Sequence, residues 1–315
     1  YFGNRNMIGG IATFFAILVA GFILSMFDEQ IFLGFAIIFI LGTIFRMLSF
    51  ASFSKIYEPP MKYDEKRLNI FAFIREIKNN DFGIFLLYYC SLIFSTSIAG
   101  FFFSVYMIRD LGLSYEAFAI IESSLALSAL IANKYWGKII DKFGNKLVLS
   151  VCGFLVPFVP LLWLTTKNPI FLLFFEIFSG FAWAGMNLAI FNYVLGYGSL
   201  KNKTAQYTAN FNFFQGISVS LGAILGTFLV TNTNLLGYVG IPLVFLISGI
   251  LRLLSALAFL PLVKEYRSSH HYRGNALFEF ALYMPARNIN YYVHQAYDFS
   301  YKTAEKAVKK IKYKI

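Results

Sequence analysis

Residues 7–27 read MIGGIATFFAILVAGFILSMF and hold no charge. A hydrocarbon core of about 30 Å needs about 20 apolar residues in a helix. The stretch does not alternate apolar and polar positions, as a barrel strand would. Backbone groups inside lipid must pair within their own segment or close a barrel, so this segment is expected to be helical. Seven more such stretches follow, at 31–53, 84–108, 115–135, 147–166, 169–195, 206–230 and 239–263. The expected fold is an all-α polytopic membrane protein with eight transmembrane helices, numbered here as the first to eighth spans.

Composition agrees: 58% of residues are hydrophobic and 14% charged, against roughly 25% charged in soluble domains. The net charge of +11 is confined to alternate loops. Lys55, Lys62, Lys66, Arg67, Arg75 and Lys78 follow the second span, and Lys134, Lys138, Lys142 and Lys146 surround the junction of the fourth and fifth. Lys201 and Lys203 follow the sixth span, and ten Lys and Arg lie from Lys264 onward. The intervening loops hold almost no basic residues. The positive-inside rule then places both ends of the chain in the cytoplasm, beneath a cell membrane. The charge reports topology and anionic lipid rather than nucleic acid.

Cys90 and Cys152 fall inside spans, and His270, His271 and His294 all lie in the tail, so neither a disulfide framework nor a metal site is expected. No phosphate-cradling Gly-x4-Gly-Lys-Ser/Thr loop occurs, and no nucleophile, base or metal constellation lies in the spans. An ATP-driven pump and an enzyme are therefore not expected, and no cofactor is assigned.

The first 55 residues repeat after a shift of 206 positions. Tyr1, Asn4, Asn6, Gly10 and Ile11 fall on Tyr207, Asn210, Asn212, Gly216 and Ile217. Ile44, Arg46, Leu48, Ser49 and Phe53 fall on Ile250, Arg252, Leu254, Ser255 and Phe259. Apolar bias does not readily produce asparagines, glycines and a mid-helix arginine in one register. The first two spans thus match the seventh and eighth and cross the membrane in the same direction. The expected divisions are 1–53, the last two helices of a first six-helix unit; 54–83, a cytoplasmic linker; 84–265, a complete second unit; and 266–315, a basic tail. Four helices of the first unit are expected upstream of Tyr1. Leu68, Phe71, Ile74 and Ile77 recur at helical spacing in the linker, as in an amphipathic helix on the inner membrane face. In the tail, Tyr297, Tyr301, Ala304, Val308 and Ile311 alternate with lysines, suiting anionic lipid, although a partner-binding or free tail remains open.

Two parallel units of six helices joined by a basic loop resemble the major facilitator superfamily. The motif is Gly137-Lys138-Ile139-Ile140-Asp141-Lys142-Phe143-Gly144-Asn145-Lys146, between the second and third helices of the second unit. It is similar to the superfamily's signature loop: Gly, three residues, Asp, a basic residue, any residue, Gly, then two basic residues. Asn145 departs from it. Tyr1–Asn6 is also similar to the loop before the fifth helix in many prokaryotic members. The resemblance implies a 6+6 pseudo-symmetric bundle, of which this chain lacks the first four helices. It also implies a secondary transporter that moves a small solute by alternating access, with H+ as the expected coupling ion. A non-transporting sensor, scaffold or lipid-handling protein on the same fold is the alternative. Gly137, Asp141, Lys142, Gly144 and Lys146 are then expected to latch the units on the cytoplasmic side. On chemical grounds alone, Gly137 and Gly144 permit tight turns, and Asp141 can cap a helix N-terminus or pair with a neighbouring cation.

The resemblance places the solute site at the midplane between the units, with the third and sixth spans lining it and the fourth, seventh and first contributing. Ionisable groups inside lipid are costly, and four lie there: Arg46, Glu122, Glu176 and Arg252. Glu176 shares a face with Gly180, Trp183 and Asn187, and Glu122 with Ala126, Ala129 and Asn133. Either is a candidate proton-coupling carboxylate or a structural one. Asn187, Tyr88, Ser95 and Gln215 are candidate solute contacts. Arg46 and Arg252, on the support helices, are expected to be scaffold residues, with anion binding as the other possibility. Gly222 and Gly226 have the spacing of close helix packing.

Overall fold

A computed structural model describes residues 2–57, 70–78, 80–232, 234–235 and 238–265. The tail helix expected in 266–315 and the linker position Leu68 lie outside the described residues. Eight helical stretches there are long and apolar enough to cross a membrane, from Ile8–Met26 to Ile241–Leu262. The first two are α1 (Phe2–Met26) and α2 (Ile31–Phe53), and a short α3 (Ile70–Ile77) follows. The third span joins α4 (Asp81–Gly100), α5 (Phe102–Val105) and a wider turn at Tyr106–Asp110. The fourth is α6 (Tyr115–Phe143), and the fifth is broken into α7 (Asn145–Leu155) and α8 (Phe158–Leu162). Then come α9 (Pro169–Leu200), α10 (Thr204–Asn232) and α11 (Ile241–Phe259). A two-residue antiparallel ladder, Asn234–Leu235 with Tyr238–Val239, closes the turn before α11.

Local chemistry explains where the helices begin. The Asn80 side chain accepts the Gly83 N–H at 3.0 Å ahead of α4, and Ser114 accepts the Ala117 N–H at 3.3 Å ahead of α6. Asn168 accepts the Ile170 N–H at 3.0 Å, with Pro169 at the first helical position, where its missing N–H costs nothing. The break in the fifth span follows from Pro157 and Pro160. Pro160 has no N–H to give the Val156 carbonyl, which receives the Val159 N–H at 3.3 Å and Arg252 Nη1 at 3.3 Å.

Glycines set the closest helix contacts. A Cβ on Gly222 or Gly226 of α10 would lie 2.4 Å from the Phe94 carbonyl oxygen or 2.2 Å from that of Ile98. One on Gly180 of α9 would lie 2.3 Å from the Leu125 carbonyl oxygen of α6. These contacts let the backbones of α10 and α4, and of α9 and α6, touch directly, as the spacing of Gly222 and Gly226 leads one to expect. Along the same seam Ser128 Oγ donates to the Ile177 carbonyl at 2.6 Å and Trp136 Nε1 to that of Phe181 at 2.8 Å. Aromatic side chains fill both ends of the bundle. Phe103, Tyr106, Trp163 and Phe245 pack at the charge-poor end, and Phe82, Phe85, Tyr193 and Tyr207 at the basic end.

Helix α3 docks on the basic end through Phe73 and Ile77. Phe73 and Ile77 are buried, whereas Phe71 and Ile74 are exposed. Phe73 meets Phe82 and Tyr207 edge-on, and burying such a side chain is worth about 1.5–3 kcal/mol. Glu76 fixes the rotation by accepting from Lys203 Nζ at 2.9 Å and from Tyr207 Oη at 3.0 Å. The Lys203 hydrogen bond holds its carboxyl below the usual carboxylate range, against the opposing effect of burial.

Candidate solute site and its gates

Glu176 is buried, with 5% of its surface exposed, on the α9 face that meets α6. Its carboxylate has the charge of half-buried Glu122 as its electrostatic neighbour and receives no hydrogen bond among the described residues. The Gly180 contact lies one turn further along α9 and explains the proximity: without a Cβ there, α6 comes close enough for two carboxyls 54 positions apart to sense each other. Asn187, on the same side of α9, is exposed, and Gln215 on α10 is half-buried.

Tyr88 and Ser95 do not join this pair. Ser95 is buried toward α11, where its carbonyl accepts from Ser248 Oγ at 2.6 Å, and its own hydroxyl donates to the Ser91 carbonyl at 2.7 Å. Tyr88 is fully enclosed, and a Cβ on Gly153 of α7 would lie 2.6 Å from its hydroxyl. That hydroxyl has no partner among the described residues. Arg252, 1% exposed, donates Nε to Ser248 Oγ at 3.1 Å besides its bond to Val156. Arg46, its repeat mate, is exposed on α2.

Helix α1 meets α6 antiparallel, and the contact tightens toward the charge-poor end. A Cβ on Gly21 would lie 2.1 Å from Ala119 Cβ and 3.1 Å from the Tyr115 carbonyl oxygen. Ser25 Oγ donates to the Glu116 carboxylate just beyond. Nearer the basic end Gly10 meets only the side chain of Leu130. Glu122 lies one helical turn deeper than Ala119, about 4.5 Å along the axis.

The signature segment folds differently from a loop. Gly137 through Phe143 continue α6, because Trp136, Ile139 and Ile140 on that turn are buried. The turn is confined to Gly144, at φ +89, a conformation that favours glycine. Asp141 is exposed and does not cap α7. Glu265 takes that role: its Oε2 accepts the Lys146 N–H at 2.8 Å at the helix N-terminus, where a carboxylate is favoured. Beside it Lys264 pairs with Asp81 at 3.1 Å and receives Tyr193 Oη on its carbonyl at 3.0 Å. Glu265, Glu76 and Glu116 are thus the polar contacts that sequence reasoning missed. Each pairs with a residue 90 or more positions away, and no local spacing signals such a contact.

A family model described as Major Facilitator Superfamily matches residues 84–282. The chain belongs to the major facilitator superfamily. The match begins at α4 and covers every later described span, including the Glu176–Glu122 pair and the Gly144 turn. No curated protein gives a significant match. As a superfamily member the protein is a multi-pass membrane transporter, acting in the bilayer on small solutes.

Proposed function

We propose that the protein is a secondary active transporter, not an enzyme, that moves its solute by proton-coupled alternating access. Glu176 carries the proposal: a buried carboxyl without a hydrogen-bond partner or counter-cation among the described residues, beside a second carboxyl, is costly unless it exchanges protons or binds solute. Two carboxylates this close are repelled when both are ionised, so a proton gained by one favours the arrangement that encloses them. The α1–α6 seam lies one turn away, so a change at Glu122 is felt where the charge-poor side closes. Opening there and closing at the basic end, around Gly144, Lys146 and Glu265, gives the alternation. In this reading both ends of the chain face the cytoplasm of a cell membrane, the tail rests on anionic lipid, and nucleic acid has no part.

The test uses proteoliposomes holding the pH dye pyranine, with the full protein and a panel of small solutes. Wild type is expected to move protons when a transported solute is added. Glu176→Gln is expected to abolish that proton movement while keeping solute counterflow at equal pH. Undiminished proton movement in the variant would remove Glu176 from the coupling.

A further inference from the structure

We propose that Ser128 is a positioning residue: its bond to the Ile177 carbonyl fixes the register of α6 on α9, and with it the approach of Glu122 to Glu176. This role rests on the reading of Glu176 as the coupling carboxyl and adds what holds its neighbour in place. Helices α6 and α9 run in the same direction, since Ser124 faces Leu173 and Ser128, one turn on, faces Ile177.

A serine inside a helix ordinarily gives its proton to a carbonyl three or four residues earlier. Ser95, Ser123, Ser218 and Ser220 do so, bonding the carbonyls of Ser91, Ile120, Phe214 and Gly216. Ser128 does not: its one bond among the described residues leaves α6 and reaches Ile177 at 2.6 Å. Ile177 directly follows Glu176, so the bond is made beside the buried carboxyl. Ser124 keeps a bond to Ile121 of its own helix at 2.6 Å and lies 3.5 Å from the Leu173 carbonyl. Two turns toward the basic end, Trp136 Nε1 donates to the Phe181 carbonyl at 2.8 Å. The carbonyls of Ile177 and Phe181 form one edge of α9, and α6 is pinned to both.

The glycine contact and the serine bond have different effects. Gly180 lets the helices touch, since a Cβ there would lie 2.3 Å from the Leu125 carbonyl oxygen, but a smooth contact does not resist sliding. A hydrogen bond is directional and weakens steeply off line. The Ser128 hydroxyl could be satisfied within α6, as the four serines above are, so its reach to α9 has a positional consequence. A slip of one residue would move α6 by about 1.5 Å along α9. From α6, Glu122 is the charge that Glu176 senses. The other helices packed closely on α9 are α7, α8 and α10, and their ionisable side chains, Lys146, Cys152 and Tyr207, lie toward the basic end. The spacing of the two carboxyls is therefore the local electrostatic variable, and the α6 register sets it.

The test titrates the full protein in nanodiscs by infrared spectroscopy, following the protonated-carboxyl stretch, and needs no solute. Glu122→Gln and Glu176→Gln identify the part of the band that belongs to the pair. Two interacting carboxyls titrate in two separated steps, and wild type is expected to show them. In Ser128→Ala the unpinned carboxylates repel and settle further apart, so the separation is expected to narrow by about half a pH unit or more. Ser128→Thr keeps the hydroxyl and is expected to retain the wild-type separation. An unchanged separation in Ser128→Ala, or a single step in wild type, would overturn the proposal. The coupling role of Glu176 can fail in the proteoliposome assay while this result stands, because the titration reads proximity and not transport.

Discussion

The pair α1–α2 and the pair α10–α11 share one residue pattern and sit in opposite surroundings. Arg252 is buried and has two acceptors, Ser248 on its own helix and the Val156 carbonyl at the α7–α8 break, whereas Arg46, 206 positions earlier, is exposed. Gly222 and Gly226 press on the α4 backbone, and the matching positions, Ala16 and Ala20, are also small. The pattern carries the demand for close packing and for acceptors. The neighbours that meet the demand are supplied by other spans. Burial is therefore a property of the assembled unit, and sequence similarity between two helices does not guarantee it.

The strongest way to probe that difference is Gly226→Val. Its Cβ would lie 2.2 Å from the Ile98 carbonyl oxygen, and backbone cannot yield as a side-chain tip can. Overpacking against movable side chains costs about 1–3 kcal/mol, so this change should cost more and abolish a monodisperse peak in size-exclusion chromatography. Ala20→Val should be milder if α1 packs less tightly than α10. Equal losses would show that both pairs are packed alike in the full protein.

A smaller effect is expected at the Arg252 site. Arg252→Met removes the guanidinium from the Val156 carbonyl, which keeps the Val159 N–H at 3.3 Å, so the loss should be about 0.5–1.5 kcal/mol, the net worth of one hydrogen bond. Pro160→Ala restores an N–H four residues after Val156 and should recover part of the lost melting temperature in that background. Strict additivity of the two changes would show that Arg252 does not serve the carbonyl. Glu265→Gln should cost less still, about 0.3–1 kcal/mol, because it removes only the negative charge at the α7 N-terminus. The position 206 residues before Glu265 is Pro59, which carries no carboxylate.

The smallest effect is pH-dependent. Glu76 has a carboxyl held below its unfolded value, so its contribution is present above the ordinary carboxylate range and is lost as pH falls through the folded value. Amide exchange in Ile70–Ile77 should accelerate as the solution is acidified below that range. Glu76→Gln should accelerate exchange at neutral pH and remove the acid dependence. An unchanged exchange profile would mean that Phe73 and Ile77 alone hold α3.

The spans were legible because lipid imposes a length and an absence of charge that survive in the residue string. Glu122 and Glu176 were legible as costly groups, but that Gly180 lets α6 come close to α9 follows only from the fold. Tyr88 and Ser95 were legible as one face of a helix, but spacing does not say which helix covers it; α7 and α11 do. Gly137–Phe143 read as a loop because glycine and charges mark turns, yet burial of Trp136, Ile139 and Ile140 carries the helix on to Phe143. Glu265 acts at Lys146, 119 positions away, and only the fold brings them together.

Alternation at the α1–α6 seam is the central claim, and spin-label distances test it most directly. Labels at Met26 and Arg109 report the charge-poor end, and labels at Ile8 and Tyr135 the basic end; all four side chains are exposed. Two distance populations are expected for each pair, shifting in opposite senses as pH is lowered in nanodiscs. A single unchanging distance at both ends would contradict a transporter that works by alternating access.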